Sequence, residues 1–99
     1  MLIRSQDKTI LVNVDNTFNI AIRYTNGAAA IYIGSSSGCC NIAEYSTKAK
    51  AIKVLDMIQE AYSEYQIMLN FSVSYLHEFK EKTDGFAIFQ MPEDSEVEV

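Results

Sequence analysis

Tyr45-Ser46-Thr47-Lys48-Ala49-Lys50-Ala51 is the stretch on which the fold turns. Upstream of it apolar residues recur at every second position; downstream they recur at every third or fourth, and the change happens once. Short β-type runs therefore precede one long helix. Ser46 or Thr47 is placed to be the N-cap, because a hydroxyl there accepts a backbone N–H from the first turn.

Moving upstream, Cys39 to Tyr45 reads as a strand, and Gly34-Ser35-Ser36-Ser37-Gly38 as the turn before it. A phosphate-cradling loop would need a lysine and an immediate helix, and this loop has neither. Ala28 to Ile33 is the strand that returns from Asn26-Gly27, a pair suited to the positive φ of a type I′ hairpin turn. Phe18, Ile20, Ile22 and Tyr24 alternate with Asn19, Ala21 and Arg23, as a half-buried strand requires. Asp15-Asn16 marks a turn, Thr9 to Val14 a further strand, Ser5-Gln6-Asp7-Lys8 another turn, and Leu2 to Arg4 the first short run.

Downstream, Ala51, Leu55, Ile58, Tyr62, Tyr65 and Leu69 fall at steps of four and three, one apolar stripe widened by Val54, Ala61 and Met68. Lys53, Asp56, Gln59, Glu60, Ser63 and Glu64 form the wet side. Phe71, Val73, Tyr75, Leu76 and Phe79 can be counted as a continuing helix, bent near Asn70 to Ser72, or as a strand-like alternation through Ser72 and Ser74; the helix is the favoured reading, with Thr83-Asp84-Gly85 as its stop. Phe86 to Met91 is a final strand ended by Pro92. The expected fold is α+β: an antiparallel β-meander of about five strands, packed by one long helix and followed by a last strand. Residues 1–91 make a single domain and 92–99 a flexible acidic tail.

The chain has 99 residues and 48% hydrophobic residues, enough for one modest core. Its net charge of −5 suggests a mimic of nucleic-acid phosphates until position is considered. Glu93, Asp94, Glu96 and Glu98 carry most of the excess, so the remainder is nearly neutral. That balance also argues against nucleic-acid binding, for which a basic stripe with interleaved aromatics is expected. No apolar run approaches the roughly 18 residues of a membrane span, and Met1 to Asp7 does not resemble a signal peptide. A cytoplasmic protein is expected. Cys39 and Cys40 are adjacent, where side chains of a strand diverge, so two reduced thiols are expected.

No catalytic set emerges. His77 has no second histidine near it for a metal site, and although Cys39 or Cys40 could meet it in space, no oxyanion feature accompanies the thiols. A non-enzymatic protein without cofactor or metal is expected. Two features remain. Lys48, Lys50 and Lys53 crowd the helix start while Glu60 and Glu64 lie later, the reverse of what the helix dipole prefers. With Ser46 and Thr47 they form a candidate anion-binding site, for a phosphate, a nucleotide or an acidic partner surface. Tyr62, Tyr65, Leu69, Tyr75 and Phe79 form a candidate interface, since a helix longer than the sheet it covers needs another partner, a second copy being the simplest.

Ile3-Arg4-Ser5-Gln6-Asp7-Lys8, Tyr45-Ser46-Thr47 ahead of Ala51 and Val54-Leu55-Asp56-Met57-Ile58, and Phe89-Gln90-Met91-Pro92-Glu93 resemble segments of short uncharacterised proteins of Gram-positive bacteria, often carried by phages and integrated elements. The resemblance covers both ends and the helix start; Gln66 to Gly85 is longer here. Its motifs are a turn, a cap and a strand end, and no catalytic residue carries over. It implies a protein that acts by binding, such as an inhibitor of a host defence protein or nuclease of the anti-CRISPR kind. Anion or nucleotide binding at the lysine-rich helix start is the alternative.

Overall fold

The computed structural model describes residues 1–17, 19–36, 38–69 and 88–99. In chain order the elements are β1 (Leu2–Arg4), β2 (Leu11–Asn13), a 3-10 turn (Val14–Asn16), β3 (Asn19–Thr25), β4 (Ala28–Ser35), β5 (Gly38–Tyr45), α1 (Lys48–Leu69), β6 (Ile88–Gln90) and a second 3-10 turn (Asp94–Glu96). The class is α+β, as expected.

The hairpin β3–β4 forms where Asn26-Gly27 asks for it. Both residues take positive φ, 52° and 82°, and Thr25 pairs with Ala28 across a two-residue turn. The next connection is tighter than the five-residue turn expected over Gly34 to Gly38: β4 runs to Ser35, β5 starts at Gly38, and the two residues pair. Gly38 takes φ 125°, which a side chain would oppose.

A single five-stranded meander is not what forms. Strands β3, β4 and β5 make a three-stranded antiparallel sheet, while β1 sits between β2, antiparallel, and β6, parallel, in a second sheet. Two features divide them. At Ser5 to Ile10 the chain closes a tight turn in which the buried Ser5 hydroxyl donates to Asp7 Oδ1 (2.6 Å) and accepts from the Ile10 N–H (3.0 Å). Lys8 takes φ 67° within that turn. The second is a bulge in β5: Ile31 pairs with Ala43 and Tyr32 with Asn41, leaving Ile42 without a partner in β4. The Ile42 carbonyl instead accepts the Gln6 N–H at 2.8 Å, so the bulge is where the second sheet attaches. It also breaks the alternation, and Ile42 and Ala43 are both buried.

Helix α1 lies over one face of β3–β4–β5. Ala29, Ile31, Ile33, Tyr45, Ala51, Val54 and Ile58 share the core with Met1, Ile3 and Met91 from the second sheet's side. Each large apolar side chain fully buried contributes about 1.5–3 kcal/mol. The buried stripe centres on Val54, 0% exposed, rather than on Leu55, which is half-buried. The second sheet and the C-terminal segment bring Ile3, Met91 and Val97 into the same core. After Ile58 no described side chain of α1 is fully buried.

Residues 92–99 do not hang free as the expected flexible tail. Val97 is 5% exposed and belongs to the core, and the Pro92 carbonyl accepts from the Tyr45 hydroxyl at 2.8 Å. No described helix is long and apolar enough to cross a membrane.

Candidate functional site

At the helix start the sequence places hydroxyls and lysines, and the fold adds an acid. Thr47 is the N-cap: its Oγ1 accepts the Lys50 N–H at 3.2 Å. Ser46, one residue earlier, donates both its N–H (2.8 Å) and its hydroxyl (3.0 Å) to Asp94 Oδ1. Lys50 Nζ lies 3.4 Å from Asp94 Oδ2 and donates to the Asp94 carbonyl at 2.9 Å. Lys53 Nζ donates to the Glu98 carbonyl, and Lys48 is exposed. These contacts, the Ser46 N–H foremost, hold the Asp94 carboxyl below the usual carboxylate range. Burial, with Glu93, Asp94 and Glu96 nearby, pushes the Tyr45 phenol up.

Of the expected anion-site residues Ser46, Thr47, Lys48, Lys50 and Lys53, two, Ser46 and Lys50, are met by an acid of the chain itself, Asp94. An outside phosphate would have to displace Asp94 from Ser46 and Lys50. The reversed charge order along α1 has its answer in the last residues of the chain. A signal for this was present in the sequence: three lysines at one place and four acids at another, with no partner for either nearby.

Of the interface candidates, Tyr62 and Tyr65 stand together on α1, ring centroids 6.3 Å apart and tilted by 37°. The Tyr62 hydroxyl donates to Asp15 Oδ1 (3.3 Å) and accepts from Gln66 Nε2 (2.9 Å). Leu69 is the last described residue of α1. Tyr75 and Phe79 lie outside the described residues, as does His77, so its relation to Cys39 and Cys40 is outside the description too. Both thiols are free and exposed. Among the described residues no three of His, Cys, Asp and Glu converge to hold a metal.

Tyr62 also lines a groove of about 300 Å³ with Val14, Ile20, Leu55, Ile58 and Gln59. Its lining is apolar, four aliphatic side chains and the Tyr62 ring, apart from Gln59 and the Tyr62 hydroxyl. Half-buried Leu55 is the side chain the sequence places on the core stripe and the structure leaves at this groove's wall. Ile20 belongs to β3, whose one strand neighbour among the described residues is β4.

The backbone phase of that edge follows from the hairpin. In a two-residue turn the flanking residues exchange both hydrogen bonds, so Thr25 bonds to β4 and, alternately, so do Arg23, Ala21 and Asn19. Ile20, Ile22 and Tyr24 accordingly direct their N–H and C=O groups away from β4, along the edge beside the groove. Sequence reasoning reached these three as one apolar face. That the same three also carry the open backbone depends on β3 being an edge, which alternation alone does not reveal. No known protein family, no curated protein and no solved structure matches the chain.

Proposed function

We propose that this is a non-enzymatic protein that acts by binding protein, taking an extended segment along the edge of β3 with an apolar side chain in the adjoining groove. The observation that carries this reading is the juxtaposition of the groove with a strand edge that has no neighbour among the described residues and whose outward backbone groups belong to Ile20, Ile22 and Tyr24. Strand addition takes its affinity from main-chain hydrogen bonds and its specificity from a pocket for alternate side chains. Both elements lie side by side here. The resemblance to small proteins of phages and integrated elements supports a host protein as the bound partner, with inhibition of a defence nuclease as the form to try first.

The test uses immobilised protein and its Leu55→Lys variant, a change at a half-buried wall of the groove. A host protein retained by the wild type, and lost at least tenfold on Leu55→Lys while the variant keeps its melting temperature, is the expected result. A purified Cas effector assayed with both proteins then reads inhibition directly. Equal retention by the two proteins would sink the groove as the binding site.

A further inference from the structure

The edge strand is complementary to itself. We infer that in the protein by itself, before a host segment displaces it, the groove's occupant is a second copy of this chain, joined antiparallel through β3 about a two-fold axis at Ile22, with Tyr24 of the partner subunit entering the groove beside Ile20. The inference rests on the groove as binding site and names its partner.

Three observations converge on this register. The first is the backbone. Ile20, Ile22 and Tyr24 carry the outward N–H and C=O groups, and an antiparallel pairing centred on Ile22 sets Ile22 opposite its own copy and Ile20 opposite the partner's Tyr24. All three positions then form hydrogen-bonded pairs, about six N–H···O bonds in all. Centring on Arg23 would place two guanidinium groups face to face, and centring on Ala21 would carry Tyr24 past the start of the partner strand at Asn19.

The second is shape. Tyr24 is 57% exposed, a large aromatic on the same face of β3 as Ile20 and Ile22 but at the far end from the groove. Four residues of strand separate it from Ile20, about 13 Å. Antiparallel pairing about Ile22 exchanges those two ends, so the projecting ring of each copy meets the hollow of the other. There it would lie against Leu55 and Tyr62.

The third is the opposite face. Arg23, the one charged residue of β3, lies over the Tyr32 ring with its guanidinium carbon 4.7 Å from the centroid. In this register it faces Ala21 of the partner subunit rather than another charge.

The experiment is sedimentation of the full chain across a wide concentration range, with Tyr24→Lys and Leu55→Lys beside it. Amide exchange is followed at Ile20, Ile22 and Tyr24. The expected result is a dimer whose dissociation constant rises at least tenfold in either variant without loss of melting temperature. In the dimer the three amides exchange at least tenfold more slowly than in the monomer. A chain that stays monomeric at high-micromolar concentration overturns the second copy. The groove as binding site still stands in that case if a host protein is retained by wild type and lost on Leu55→Lys. A dimer that persists in Tyr24→Lys, with the three amides still fast, also overturns the inference.

Discussion

Gln6 shows how much of the architecture one side chain can hold. Its N–H bonds the bulged Ile42 carbonyl, its Oε1 accepts the Glu44 N–H at 3.0 Å, and its Nε2 donates to the carbonyls of Glu44 and Pro92, each at 3.1 Å. The carboxamide thus behaves as an extra peptide unit between three segments. Asp7, one residue on, accepts from the hydroxyls of Ser5 and Thr9 and from the Thr9 N–H, which lowers its carboxyl from 3.8 to about 2. Asp94 is lowered as well, by Ser46 and Lys50. The sign follows from the depressed folded-state values: the fold favours the ionised forms, so their contribution is present above the ordinary carboxylate range and is lost as pH falls through it, for Asp7 towards about 2. In an acid titration of stability by chemical denaturation, Asp7→Asn with Asp94→Asn should flatten the pH dependence in that window and leave its slope above pH 5 unchanged. None of these roles was legible beforehand. Ser5-Gln6-Asp7-Lys8 reads as a turn from composition, and it is one, but what Gln6 bonds to is decided by segments up to 86 positions away.

At the scale of elements, local chemistry was a good guide where it acts locally. Asn26-Gly27 makes its hairpin and Thr47 caps α1, because both depend on a few adjacent residues. The stripe along the helix was legible to within one residue. Periodicity finds the apolar face, but which member is innermost depends on how the helix is rotated over the sheet, which periodicity does not fix. Val54→Ala should therefore cost about 2 kcal/mol or more, and Leu55→Ala clearly less despite the larger side chain removed, as urea denaturation of the two variants can establish. The bulge at Ile42 was not legible at all. A run of Asn41-Ile42-Ala43-Glu44 carries no mark of an extra residue until another strand's partner is known.

Taken whole, the molecule is a meander and helix sealed by its C-terminal segment. Removal of Glu93 to Val99 takes away the Asp94 contacts to Ser46 and Lys50 and leaves a gap where Val97 was buried. A loss of about 2–4 kcal/mol is expected, from one buried aliphatic side chain and a set of charged hydrogen bonds. Urea denaturation of the truncated protein measures it, and an unchanged midpoint would mean that the segment is not a structural part of the fold. The candidate site was half legible: the alternation of Ile20, Ile22 and Tyr24 and the position of Tyr62 on the helix could be read. The edge itself could not, since it exists only because the first strands leave the meander and pair elsewhere.

The parallel pairing of β1 with β6 also sets an order of events in time. Strands β3 to β5 and the helix that follows them are near neighbours in sequence and can associate early, at small entropic cost. The β1–β2 pair is local, but β6 can join it only when a loop spanning most of the chain has closed, a step whose cost grows with the logarithm of its length. Ile3 and Met91 would then join a nucleus already formed, acting as a latch. Such a latch does little for the speed of folding and much for the lifetime of the folded state.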